Sequence, residues 1–147
     1  MANRSMTAML VALFHYAGQY SATQTPSTGV DTKGYDAIEA VVTAGDVSNV
    51  QTSPVGPGWT FALEHSDDNS SFSAVSADDA VMPGGGDIGA NGVFGTIDDS
   101  ADDSACFRVG YVGDKRYVRV VATAVNTPGN TPIAVCFLGR PLISDVN

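Results

Sequence analysis

The sequence predicts an all-β domain, a single antiparallel sandwich or barrel-like fold. Apolar and polar residues alternate with a period of two in several windows, the spacing of a half-buried strand. These windows recur every 10–15 residues, separated by breaks rich in Gly, Pro, Asn and Asp. No later window shows helical periodicity with caps, so nothing competes with the strand reading.

Taken in order, residues 1–29 read as an N-terminal arm and connector, and residues 30–147 as the sandwich domain. The arm holds an apolar run, Met6 to Tyr16, followed by the polar stretch GQYSATQTPSTG. The run loosely imitates a signal peptide, but His15, Tyr16 and Gln19 intrude where a cleavage region is small and neutral. At about ten residues it is also too short to span a bilayer. An ordered apolar arm is the expectation. In YDAIEAVVTAG (35–45), Asp36, Ile38, Ala40 and Val42 alternate against Ala37, Glu39, Val41 and Thr43, giving a strand with one better-buried face. SPVGPG (53–58) is a breaker-rich loop. WTFALEH then places Trp59, Phe61, Leu63 and His65 on one face, and Phe72 and Val75 follow as expected core contacts.

MPGGGDIGANG (82–92) is a glycine-rich loop, VFGTI a short strand and DDSADDS an acidic turn. ACFRVGYVG puts Phe107, Val109 and Tyr111 on one side, and Gly113-Asp114 reads as a hairpin-type turn. In KRYVRVVATAV, Arg116, Val118, Val120 and Ala122 oppose Tyr117, Arg119, Val121 and Thr123, and IAVCFLG closes the sheet.

At 147 residues the chain is the size of one domain, large enough for an independent core. Only 16% of residues are charged, below the ~25% usual for soluble domains. A surface so poor in charge is suited to facing another protein. Net charge is −9, and between Asp46 and Asp103 there are eleven acids and no Lys or Arg. The dominant field therefore repels polyanions, which argues against nucleic acid as a partner. Arg108, Lys115, Arg116 and Arg119 cluster within twelve positions, either as solvated strand ends or as a patch for an acidic partner. Cys106 and Cys136 form no C-x-x-C and lie in apolar runs, so buried free thiols are expected.

Catalytic chemistry finds little support. Nucleophilic catalysis needs an activated Ser or Cys with a base in reach. The two histidines are His15 in the arm and His65 on an apolar strand face, and no G-x-S-x-G is present. The GGGD run lacks the Lys-Ser/Thr of a phosphate loop. A hydrolase using Glu or Asp would need two carboxylates converging in one cleft. EHSDDNSSFSAVS (64–76) raises the question of calcium, but its acids are contiguous and no later Glu completes the set. Asp67-Asp68-Asn69 is better read as a turn whose carboxylates accept backbone N–H groups, with Asn69 left-handed. No metal and no cofactor are expected.

The order VDTKGYDAIEAVVTAGDV, FALEHSDDNSSFSAV, GYVGDKRYVRVVATA and FLGRP, from Val30 to Pro141, resembles a family of small tailed-bacteriophage virion proteins. These typically carry a V-D-T/L-K/Q-G-Y/F-x-S/A strand, x-S-D-D-N-S-x-F, G-Y-x-G-x-K-R-Y-V-R and a final L-G-x-P. The resemblance implies a jelly-roll-type β-sandwich that acts as a head decoration, or cement, protein without catalysis. Its partners would then be the major capsid protein and itself, as a homotrimer. It would reside on the virion capsid surface after synthesis in the host bacterial cytoplasm, with no membrane association. Met6, Met9, Leu10, Val11, Leu13, Phe14 and Tyr16 form an apolar cluster outside the expected sandwich, as a surface for capsid or neighbouring subunit. On that reading, removing residues 1–20 leaves a folded domain that no longer assembles. The alternatives are a head-fibre or tail component, or a carbohydrate-binding module using Tyr20, Trp59 or loop 82–96.

Overall fold

The computed structural model describes residues 10–47, 57–98, 102 and 104–142. Ten strands follow one another: β1 (Val11–Tyr20), β2 (Val30–Asp31), β3 (Tyr35–Ala44), β4 (Gly58–Ser66), β5 (Ser73–Ala74), β6 (Ala80–Val81), β7 (Val93–Ile97), β8 (Cys106–Tyr111), β9 (Tyr117–Val125) and β10 (Thr131–Pro141). They form two antiparallel sheets. The first runs β1-β10-β3-β8-β6, and the second β2-β9-β4, with β5 and β7 end to end along the far side of β4.

The main pairs nest inside one another: β1 with β10, β2 with β9, β3 with β8, and β4 with β7. This is one long antiparallel ribbon rolled over on itself, the jelly-roll arrangement of two four-stranded sheets. β5 and β6 are short additions within the connection from β4 to β7.

Alternation places the core as expected. Ile38, Ala40, Val42 and Ala44 of β3 face Trp59, Phe61 and Leu63 of β4, with Val118, Val120 and Ala122 of β9 and Ile133, Val135 and Phe137 of β10 completing the buried layer. The indole N–H of Trp59 donates to the Thr131 hydroxyl at 2.9 Å, and that hydroxyl donates to the Gly129 carbonyl at 3.1 Å. Both buried polar groups are thereby satisfied. Trp59 is fully enclosed, so it offers no platform for a sugar ring.

The N-terminal segment departs from the expectation. Residues 11–20 are not an arm outside the sandwich but its edge strand, paired with β10 along their whole length. A bulge between Phe14 and Tyr16 hides this in the sequence. Leu13 and His15 turn inward before it, and Tyr16 and Tyr20 after it, so the inward face changes parity. Phe14 is left on the outside, 73% exposed. Met6 and Met9 lie outside the described residues.

His15 closes the open side between the sheets. The free edge of β9 is bonded in turn by Val30, by Gln24 (Ala122 N–H to its carbonyl, 3.0 Å) and by the Thr23 hydroxyl (from Ala124 N–H, 3.0 Å). At Val120, between these, the ring Nε2 of His15 accepts the backbone N–H at 3.4 Å. The ring also meets Phe137 edge-on at 5.6 Å. Burial, and secondarily the nearby Arg119 charge, lower the His15 pKa to about 4.

Three further expectations are corrected. The bend at Gly113-Asp114 is not a hairpin, because β8 and β9 belong to different sheets. Phe72 is not a core contact; its ring lies under the Arg119 guanidinium at 4.0 Å, whereas Val75 is buried. The cysteines are free but not buried in the core: Cys106 is exposed and Cys136 half-buried.

Two outcomes follow. Removing residues 1–20 uncovers the β10 side of the core, costs on the order of 5 kcal/mol and abolishes cooperative unfolding, as calorimetry would register. Second, an unfolded His15 binds a proton near pH 6.5 while the folded one resists it down to about 4. Stability is therefore full above pH 6.5 and declines as pH falls toward 4, by at most about 3 kcal/mol. Denaturant titrations of wild type and His15→Gln isolate this slope, which the variant loses; equal slopes would refute the assignment.

Candidate functional site

The four sequence motifs behind the family resemblance meet at one end of the sandwich. In VDTKGY, Asp31 accepts the Lys33 N–H at 2.9 Å, and Thr32 donates its N–H and hydroxyl to the Arg116 carbonyl, each at 2.8 Å. Arg116 in turn grips the Asp31 carboxylate with Nε and Nη2, at 2.7 Å for the shorter contact. In SDDNSSF, Asp68 Oδ1 accepts the Ser71 and Ser70 N–H groups at 2.7 and 2.9 Å and the Ser66 hydroxyl at 2.8 Å. These bonds, led by the two backbone N–H groups, hold its carboxyl far below the usual range. Asn69 is left-handed (φ 57°), and its Oδ1 accepts the Gly29 N–H at 2.7 Å. The Asp67-Asp68-Asn69 stretch is thus a turn joining β4 to β5, its acceptors occupied by the protein's own donors.

The third motif, GYVGDKRYVR, carries the chain from the first sheet to the second. Tyr111 anchors it: its hydroxyl accepts the Lys115 N–H at 2.9 Å and lies 3.0 Å from His65 Nδ1 on the opposite sheet. Burial pushes the Tyr111 pKa up to about 12. Gly113 is required for close approach, since a Cβ there would sit 2.6 Å from the Tyr111 hydroxyl. Lys115 pairs with Asp67, tying this crossing to the β4–β5 turn. From the fourth motif, LGRP, Gly139 admits the Tyr35 ring and Arg140 Nε bonds Asp36 at 2.8 Å.

The basic cluster is therefore internally neutralised. Arg108 pairs with Glu39, Lys115 with Asp67, Arg116 with Asp31, Arg119 with Glu64 and Arg140 with Asp36. Most of these pairs are exposed and add little to stability. Arg119 differs: its side chain is 13% exposed, it bonds Glu64 at 2.6 Å, donates to the Pro26 carbonyl and covers Phe72. It fastens Pro26 and Phe72 against one end of the outer face of the second sheet.

The first sheet has no such cover among the described residues. At the end where β3 starts and β8 stops, its outer face carries a groove of about 550 Å³. Ala37, Gly110 and Leu138 line the groove, together with Leu10, Val81, Pro83 and Val112. Val112 is 61% exposed and Val81 56%. Asp36 and Glu39 also line the groove, so it does hold the two carboxylates that a hydrolase would need. Both are ion-paired, and the hydrogen bond from Arg140 holds the Asp36 pKa down. A proton-donating carboxyl requires the opposite shift.

Of the residues expected to form an interface, Leu10 lines the groove, while Val11 and Phe14 are exposed on β1. Leu13 and Tyr16 pack against the core instead. The Tyr16 hydroxyl is buried without a hydrogen-bond partner. The groove itself went unanticipated, because its walls come from five separate stretches of sequence. No protein-family model matches the chain, and no curated protein matches it.

The contrast between the two kinds of ion pair is measurable. Arg119→Ala is expected to destabilise the fold by about 2–3 kcal/mol, as a half-buried multi-bond anchor would. Lys115→Ala leaves the melting midpoint within error of wild type. Equal losses for the two variants would contradict the distinction.

Proposed function

We propose that this chain is a structural bacteriophage virion protein. On this reading it decorates the outer surface of the head and stabilises the capsid through protein–protein contacts, without catalysing a reaction. The observation that carries the reading is the difference between the two outer faces. On the second sheet Arg119 holds Phe72 and the Pro26 carbonyl against one end of the outer face. The first presents an apolar groove whose charges, Asp36, Glu39, Arg108 and Arg140, are already paired with one another. A partner can cover that face without stranding an unpaired charge. The major capsid protein is the partner the family resemblance names, and a head offers many copies of one surface, so weak contacts accumulate by avidity.

Other features support the same reading. The clustered basic residues that could have met phosphates, Arg108, Lys115, Arg116 and Arg119, are paired with carboxylates of the same chain. The tryptophan that could have stacked on a sugar lies in the core. The four motifs that carry the family resemblance fix turns and crossings, which is what a scaffold holding its shape requires.

Cosedimentation with heads lacking the protein tests this. Wild type binds saturably, and Val81→Glu/Val112→Glu, with unchanged fold, loses at least tenfold in affinity. Failure of wild type to bind, or equal binding by the variant, would contradict the proposal.

A further inference from the structure

We infer that the outer edge of β1 is where two copies of this chain pair, antiparallel about a two-fold axis, independently of any capsid. The sandwich has four lateral edges. Three are blunted by shortness: β6 and β2 have two residues each, and the far side of β4 is divided between β5, with two, and β7, with five. β1 is different. It has ten residues, VALFHYAGQY, with no Pro and no charged side chain, and His15 is held neutral by burial. Among the described residues its only strand partner is β10, leaving its other side open. A long, apolar, uncharged edge without Lys or Pro is a template for another strand.

Charge selects a second copy as that strand. Each chain carries −9, so two copies repel unless they meet where no acid is uncompensated. β1 satisfies this, and so do its outward neighbours Pro132 and Ala134 on β10. On this face of the sheet Asp36 is paired with Arg140 and Glu39 with Arg108. Geometry selects a two-fold. The bulge divides the edge into residues 11–14 and 16–20, two halves of similar length. An axis near His15 lays each half against the other half of the second copy and brings the two bulges together. An isologous contact needs only this one edge, whereas a three-fold ring built by strand pairing needs a second long edge, and the other three are short. The contact between copies is thus a dimer rather than the trimer implied by the resemblance.

Sedimentation velocity on the full chain alone, over micromolar to submillimolar concentrations, decides it. Wild type is expected to show a concentration-dependent dimer. Ala12→Lys/Ala17→Lys and Ala12→Glu/Ala17→Glu each change two exposed outward positions and set like charges across the axis, weakening association at least tenfold. Mixing the two variants restores the dimer. A wild type that stays monomeric would overturn the inference, and this includes the case in which the edge serves a different protein. An oligomer untouched by the Lys variant, or a mixture that stays monomeric, would overturn it too. If a variant fails to fold, hydrogen exchange on wild type takes its place. The β1 amides facing away from β10 gain protection as concentration rises; exchange unaffected by concentration would overturn the inference. Loss of head binding with intact dimers, or the reverse, separates this contact from the capsid reading.

Discussion

Polar side chains at one end of the sandwich fix the register of everything between the sheets. There the chain crosses from β2 to β3, turns from β4 to β5 and crosses from β8 to β9, and each passage is bonded to another. Asp31 and Thr32 hold Arg116, Asn69 holds Gly29, Asp67 holds Lys115, and Tyr111 reaches His65. A slip of one residue in any strand would turn a whole apolar face outward. The buried part of this network, His65 with Tyr111 and the Lys115 amide, leaves little room for such a slip, because its unsatisfied groups would be expensive to bury. Asp31, Arg116, Asp67 and Lys115 thus hold the turns and crossings at this end.

Once those charges are paired internally, the two outer faces are free to differ. The segment between β1 and β2 runs along the β9 edge, and Arg119 holds its Pro26, with Phe72, against one end of the second sheet's outer face. The same segment begins where β1 ends, so the first sheet keeps β1 as a bare edge and its groove as an open, neutral trough. A chain carrying −9 thus presents a groove with internally paired charges on one side. Surfaces of this kind bind by shape and desolvation, with hydrogen bonds at the rim, and need no reactive group.

Much of the fold was legible in the sequence because alternation reports burial directly. The inward faces of β3, β4, β8 and β9 follow from it, apart from Asp36 and Arg116 at the strand starts, which are exposed, and Val121, which is buried on the opposite face. Asp67-Asp68-Asn69 was readable as a turn because Asx chemistry is local. What could not be read depended on partners distant in the chain. β1 looked like an arm because its bulge shifts the inward positions from Leu13 and His15 to Tyr16 and Tyr20, which breaks the two-residue period. Gly113-Asp114 looked like a hairpin because a bend does not announce which sheet its second strand joins. Phe72 looked like core because nothing local reveals that Arg119, 47 positions later, will lie over it. The groove needed the assembled first sheet before it existed at all.

Adhesion through the outer face of the first sheet is the central claim, and cryo-electron microscopy of heads carrying this chain tests it most directly. The account predicts density for the sandwich on the outer shell, with Ala37, Val112 and Leu138 against the capsid and the Arg119–Phe72 side turned to solvent. Density with the second sheet against the shell, or heads bare of the protein, would contradict it.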